Sequence, residues 1–242
     1  MDEKGADPIS FSLFRLILTW ANERGNIFVW VWTILQWNLM ARSISIDPLA
    51  LHNISICKDH FVICHDSMKS DKEGEKIHNK EAVYCYPLDA ISCPGVSLGI
   101  WLSLNQNTFR DNSERIFLRR GARVGSAAHR YCEQLLKLMK MYWGIVQTYI
   151  TTMSAHGIRK GSATHVLCAT TCPPPIASIA NRGDWSMGKV LDVYWQFADV
   201  GDAYLGRCLC GLDPNLSTFS VLPLIGQWTT QSMTQTLKRR CN

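Results

Sequence analysis

The chain has 242 residues, carries a formal net charge of +5 and is 47% hydrophobic. This composition supports a buried core and excludes a wholly disordered chain. The mild excess of basic residues is compatible with a polyanionic partner but does not by itself indicate one. The ten cysteines include no Cys-x-x-Cys pair, which argues against a zinc ribbon and favours reduced thiols. The acidic and polar first residues do not resemble a signal peptide, so we expect a protein that is not secreted.

The first half of the chain predicts two helices followed by a small sheet. After a charged start at Met1–Pro8, which we expect to be mobile, residues 11–20 show a helical apolar pattern. The most apolar run begins at Ile27 and predicts a second helix that ends near Ala41. That run is too short to span a bilayer, so no membrane partner is expected. Three β-rich runs then predict a hairpin and a third strand, at residues 54–57, 61–64 and 82–86.

Helical patterns dominate the second half. Residues 99–104 fit either a strand or a helix, and Pro94-Gly95 before them is expected to break the chain. The arginine-rich stretch 105–130 is expected to be mostly a solvated loop. Further helices are predicted over residues 131–148, 156–168, 176–179 and 202–210, with another after Ser186. The order of these elements predicts a mixed α/β fold, mainly α, with a small three-stranded antiparallel sheet.

Two short motifs lie close together in this second half. His156 and Arg159 are three residues apart at the start of a predicted helix, so they share one face. Trp185 lies nine residues before Tyr194. Each motif alone also fits ordinary helix packing. Together, in this order, they resemble the carboxy-terminal motifs of the tyrosine recombinases, the phage integrase family, and the His-x-x-Arg-Lys-Gly form is most similar to eukaryotic mobile-element branches.

The resemblance implies two further catalytic positions upstream. The family has a first arginine at the end of a helix, and Arg42 follows the apolar helix. The family then takes a lysine from its β region, for which Lys69 is the first choice and Lys72 the second. In the absence of the resemblance, each of these residues would be interpreted as a solvated surface residue.

The implied activity is DNA strand breakage and rejoining through a 3′-phosphotyrosyl intermediate, in recombination, integration or transposition of a mobile element. Arg42 and Arg159 would bind the phosphate, because guanidinium groups stay charged and present forked donors. Tyr194 would be the nucleophile, and its phenol needs a base such as His156 at neutral pH. The remaining roles implied by the family are a hydrogen bond from Trp185 and protonation of the leaving oxygen by Lys69.

The resemblance also implies an organisation and partners. Residues 27–211 would form the catalytic domain, preceded by a helix or remnant of the core-binding domain at 1–26 and followed by a tail at 212–242. The implied partner is double-stranded DNA, on which a homo-oligomer is expected. No metal or small-molecule cofactor is implied. The implied location is the nucleus if the source is eukaryotic and the cytoplasm otherwise.

Two departures from the family pattern leave a second interpretation open. The family usually has an acidic residue where this chain has Ser45, and it has Gly directly before the His or Trp, whereas Asp184 separates Gly183 from Trp185 here. The alternative is therefore a catalytically decayed or domesticated DNA-binding relic of such a recombinase. Tyr204 is a rival nucleophile, but its spacing from Trp185 fits the family poorly. A small-molecule enzyme that uses Cys or His finds no supporting motif.

Overall fold

A computed structural model describes residues 6–65, 80–109, 114–117, 123, 125–168, 172–186 and 199–219. Helices in these ranges are α1 (Phe11–Glu23), α2 (Ile27–Asn38), α3 (Ser43–Ile46), α4 (Pro94–Leu104), α5 (Ser126–Met141), α6 (Trp143–Val146), α7 (His156–Cys168), α8 (Ile176–Arg182) and α9 (Asp199–Cys210). Strands are β1 (Ile54–Ile56), β2 (His60–Cys64) and β3 (Lys80–Tyr84). The predicted mixed class, mainly helical with a small antiparallel sheet, is confirmed.

Helix α2 is the centre of the core. Every residue from Phe28 to Asn38 is buried, because the helix is apolar around almost its whole circumference. It packs against α1, α4, α5, α7 and α9. Two of its tryptophans satisfy their indole N–H groups with backbone carbonyls, Trp30 with Ile91 at 2.7 Å and Trp37 with Leu209 at 3.1 Å. No helix in the described ranges is long and apolar enough to cross a lipid bilayer.

The sheet has the strand order β1-β2-β3, with both neighbouring pairs antiparallel. Ile63 in β2 lies opposite Ile54 in β1 and opposite Glu81 in β3. Helix α9 packs against β3. Gly206 permits this close approach, because a Cβ at that position would overlap the carbonyl oxygen of Ala82.

The start of the chain is more ordered than the sequence predicted. Residues 6–10 lie along α7, where Ile9 donates its N–H to the carbonyl of Gly157 at 3.0 Å. Gly161, one turn further along, leaves space for this segment, because a Cβ there would overlap the backbone of Ile9. The side chain of Lys160 donates to the carbonyl of Ala6 at 2.9 Å. The expected mobility is therefore wrong for residues 6–8, and residues 1–5 lie outside the described part of the chain.

The ambiguous stretch before the arginine-rich region is helical. Helix α4 begins at Pro94, so the Pro94-Gly95 pair opens a helix where a break was expected. Proline suits the first helical position because its missing N–H would have no partner there and its φ is already helical. The next predicted helix is divided in the structure, since α5 starts at Ser126 and ends before Tyr142, after which α6 begins.

Candidate functional site

The turn at the end of α2 determines where Arg42 lies. The N–H of Ala41 donates to the carbonyl of Gln36 at 3.2 Å, and the N–H of Met40 donates to that of Trp37 at 3.2 Å. These two bonds, with Met40 at a left-handed φ of 47°, form a Schellman motif. The chain therefore turns sharply, and Arg42 stands just before α3 with its side chain 38% exposed.

His156 and Arg159 occupy the first turn of α7. Ser154 caps this helix start by accepting the N–H of His156 at 3.1 Å. His156 is exposed, whereas Arg159 points into the protein and is only 4% exposed. Their three-residue spacing places both at the end of the helix where backbone N–H groups and the helix dipole favour an anion.

Gln36 connects the two helix ends that carry these residues. Its side-chain nitrogen donates to the hydroxyl of Ser43 at 3.1 Å and to the carbonyl of Ala155 at 3.1 Å. Ser43 follows Arg42 in the chain, and Ala155 precedes His156. One buried amide therefore fixes the position of Arg42 relative to His156.

The turn at the end of α8 determines where Trp185 lies. The N–H of Trp185 donates to the carbonyl of Ala180 at 2.9 Å, and that of Asp184 to Asn181 at 3.1 Å, with Asp184 at a φ of 48°. The indole ring lies against the backbone of Gly183, where an added Cβ would stand 2.9 Å from the ring. Trp185 is 38% exposed, so it forms part of an open surface.

These three helix ends meet at one place. A terminal nitrogen of Arg159 donates to the carbonyl of Gly183. The guanidinium carbon of Arg159 lies 5.5 Å from the centroid of the Trp185 ring, within range of a cation–π interaction. Nη1 of Arg42 lies 3.7 Å from a carboxylate oxygen of Asp184. The candidate site is thus a basic, partly open surface formed by α7 and the ends of α2 and α8.

The charges in the site affect one another. Burial and the nearby charge of Arg42 together lower the pKa of Arg159 to about 10, so Arg159 remains protonated at neutral pH. Burial also lowers the pKa of His156 below its ordinary value of 6.5, with further lowering by Arg159, Lys160 and Arg42. His156 is therefore mainly neutral at pH 7 and can accept a proton.

Arg182 is the centre of a buried hydrogen-bond network that connects the elements carrying the site. The guanidinium of Arg182 makes a bidentate pair with Asp202 of α9, at 2.8 and 2.6 Å. It also donates to the carbonyl of Asn38 at 2.9 Å and to that of Ala82 at 3.0 Å. This Arg182 network (Arg182, Asp202, Asn38 and Ala82) links α8 to α9, to the end of α2 and to β3. It fixes the base of the helix ends that carry Arg42 and Trp185.

Glu81 lies close enough to Arg182, Asp202 and Arg159 for their charges to act on it. It is 1% exposed, and one of its carboxylate oxygens makes no hydrogen bond to a described residue. The ring nitrogen Nε2 of His65 is 3.9 Å from that oxygen, beyond hydrogen-bonding distance. Burial raises the pKa of Glu81 well above 4.5, although Arg182 and Arg159 act in the opposite direction. Glu81 therefore keeps its proton to a higher pH than an exposed glutamate does.

Of the six site residues predicted from the sequence, the structure brings four together: Arg42, His156, Arg159 and Trp185. Lys69, its alternative Lys72 and Tyr194 lie outside the described residues. The rival nucleophile Tyr204 donates its hydroxyl to the carbonyl of Cys172 at 2.7 Å, and burial raises its pKa. Both properties make Tyr204 a poor nucleophile.

Three supporting residues were not identified from the sequence: Gln36, Glu81 and Arg182. Gln36 was a polar residue inside an apolar helix, and Arg182 a basic residue at a helix end. A buried polar residue needs a hydrogen-bond partner, so Gln36 in the most apolar run was the one available signal.

Comparisons with models of protein families and with curated proteins found no match for the chain.

Proposed function

We propose that this chain breaks and rejoins DNA strands through a covalent tyrosine–phosphate intermediate. The observation that carries the proposal is that four of the catalytic residues implied by the family resemblance lie close together: Arg42, His156, Arg159 and Trp185. The partner we propose is double-stranded DNA, bound by a homo-oligomer. The proposed location is the nucleus if the source is eukaryotic and the cytoplasm otherwise.

Two arginines would neutralise the reacting phosphate. A phosphodiester is negative and repels a nucleophile, and its transition state carries more charge on the non-bridging oxygens. Arg159 is buried and aligned by Gly183, so it needs little reorganisation to receive a phosphate. Arg42 is more exposed, and ion pairs such as its contact with Asp184 contribute only about 0–1 kcal/mol. Arg42 can therefore exchange this carboxylate for a phosphate oxygen.

The remaining groups would move protons and hold the phosphate. The phenol of Tyr194, with an ordinary pKa of about 10, would lose its proton to neutral His156 as its oxygen attacks phosphorus. The bond from phosphorus to the 5′ oxygen would break, and Lys69 would protonate that oxygen. Trp185 would donate its indole N–H to a phosphate oxygen. The 3′-phosphotyrosyl bond retains the bond energy, so reversal of the step reseals the strand without ATP.

A nicked suicide DNA substrate tests this proposal. After cleavage the short 5′ fragment diffuses away, so the covalent protein–DNA adduct accumulates and is resolved on a denaturing gel. We expect the adduct in the parent protein and in Tyr204→Phe, and its loss in Tyr194→Phe. Arg159→Ala should also abolish it. An adduct that persists in Tyr194→Phe would refute the assignment of the nucleophile.

A second candidate, DNA binding without turnover, is favoured by Asp184. Its carboxylate faces Arg42 and would repel a phosphate in the same place. The Asp184→Asn variant removes the charge, and Asn tolerates the left-handed backbone at this position about as well as Asp. Salt-dependent DNA binding without any adduct, in both the parent and Asp184→Asn, would support the relic. An adduct that forms only in Asp184→Asn would identify this carboxylate as the cause of inactivity.

A further inference from the structure

Two cysteines meet away from the candidate site, where β3 is followed by α4. Cys85 comes directly after β3, and Cys93 is the residue before the first turn of α4. Gly95, in that first turn, lies so close to the Cys85 sulfur that a Cβ at position 95 would overlap it. The Cys85 sulfur therefore lies against the start of α4, beside Cys93.

The two sulfur atoms interact directly. The Cys85 thiol hydrogen-bonds the sulfur of Cys93, which also accepts the N–H of Tyr86 at 3.3 Å. The bond from Cys85 and, after it, backbone N–H groups at the helix start lower the pKa of Cys93 to about 6, although burial acts in the opposite direction. The same bond and burial raise the pKa of Cys85. Cys93 therefore has thiolate character and Cys85 remains a thiol.

The seven residues between the cysteines form a fixed loop. The carboxylate of Asp89 accepts the N–H of Ile91 at 3.0 Å and the hydroxyl of Ser92 at 2.9 Å. It also pairs with Arg15 of α1 at 2.9 Å. The carbonyl of Ile91 accepts the indole N–H of Trp30 in α2. Because two core helices hold this loop, the approach of the sulfurs costs little chain entropy.

We propose that Cys85 and Cys93 form an oxidisable dithiol site that takes hydrogen peroxide or a similarly small, uncharged peroxide and closes to a disulfide. Cys93 is 4% exposed and Cys85 is partly exposed, and this limited exposure favours a small oxidant over a bulky disulfide. A thiolate beside a resolving thiol is the arrangement found in oxidation-sensitive pairs. This inference is independent of the DNA chemistry proposed above.

The reaction balances with peroxide as the only oxidant. The Cys93 thiolate attacks one peroxide oxygen, and the O–O bond breaks to give a sulfenic acid and hydroxide. The Cys85 sulfur then attacks the Cys93 sulfur and displaces its hydroxyl group, which leaves as water with the Cys85 proton. The hydroxide from the first step takes up the proton that Cys93 had released. In total, two thiols are oxidised to one disulfide and one peroxide is reduced to two waters.

Trypsin digestion allows a direct test of disulfide formation. The tryptic peptide of residues 81–110 contains Cys85 and Cys93 and no other cysteine. The reduced, folded full-length protein is treated with increasing hydrogen peroxide, and remaining thiols are alkylated before digestion and mass spectrometry. We expect this peptide to lose two hydrogens and to escape alkylation, and to recover both alkyl groups after reduction. Exposed Cys57 serves as the internal reference and should remain mostly alkylated at the same dose.

Two variants identify the roles of the sulfurs. In Cys85→Ser the sulfenic acid at Cys93 has no resolving thiol and should be trapped by dimedone, whereas Cys93→Ser should give no dimedone adduct at Cys85. If the parent peptide is alkylated twice at doses that already oxidise Cys57, the proposal is wrong. Glutathione disulfide in place of peroxide should oxidise the pair at least tenfold more slowly. An equal rate would refute selection for a small oxidant. All comparisons on the parent chain hold even if a variant fails to fold.

Discussion

The buried pair of Arg182 and Asp202 gives the sharpest test of how the site is supported. Their side chains are 0% and 2% exposed, and the carboxylate also accepts the N–H of Ala82 at 2.7 Å. Asp202→Asn keeps the shape of the side chain and removes its charge. Removal of one partner leaves a buried charge uncompensated, which costs about 3–5 kcal/mol. That is a large share of a typical stability of about 5–15 kcal/mol.

Urea denaturation followed by circular dichroism measures this free energy of unfolding. The matched control is Glu133→Gln on α5, an acid-to-amide change in an exposed contact with His129, with an expected effect within about 0.5 kcal/mol. Combining Asp202→Leu with Arg182→Met should cost less than the sum of the two single changes, because neither charge then remains unpaired. A loss below about 1 kcal/mol in Asp202→Asn would refute the view that this ion pair supports the site.

Three further predictions concern the site itself. Because the folded-state pKa of Glu81 is raised, the folded state keeps a proton that the unfolded state loses above about pH 4.3, so stability falls as pH rises from there. Glu81→Gln should remove this fall and unfold at higher urea than the parent at pH 7; equal midpoints would contradict this. His156, followed by NMR, should titrate below 6.5, and inorganic sulfate should raise its midpoint if an anion binds beside it. Trp185→Ala should cost less than the roughly 3–5 kcal/mol of a fully buried tryptophan, since 38% of it is exposed. Trp185→Phe should keep most stability and lose adduct formation if the N–H matters.

Periodicity predicted most of the helices, because the apolar faces of segments such as 11–20 and 156–168 are visible in the local sequence. The three strands were predicted from local runs of β-favouring residues. Long-range polar contacts were not predictable in this way. Gln36 reaches Ala155, and Arg182 reaches Asn38, across more than a hundred residues of chain. Nothing in the sequence near either residue identifies its partner, so their roles could be found only from the structure.

The glycines of α7 are a second example of a long-range contact that the local sequence does not predict. In the sequence, Gly157 and Gly161 are parts of the His-x-x-Arg-Lys-Gly motif, and the charged start of the chain predicts mobility. In the structure these two glycines, one turn apart, leave the space in which residues 6–10 lie. A glycine in a helix shows that space or flexibility is needed, but it does not show which segment fills the space.

Asp184, which separates Gly183 from Trp185, occupies the same kind of helix-terminal turn as the residue Met40 before Arg42. Met40 and Asp184 are the non-glycine residues with positive φ in the described part of the chain, and each directly follows the C-cap residue of a helix. Left-handed backbone costs a non-glycine residue roughly 1–2 kcal/mol, so a sequence keeps it only where the surroundings enforce it. Here the two turns direct Arg42 and Trp185 toward the same guanidinium, that of Arg159. Asp184 therefore takes the left-handed position at which helices commonly use glycine. With Asp184 in this turn, Trp185 lies against Arg159 and the Asp184 carboxylate lies beside Arg42.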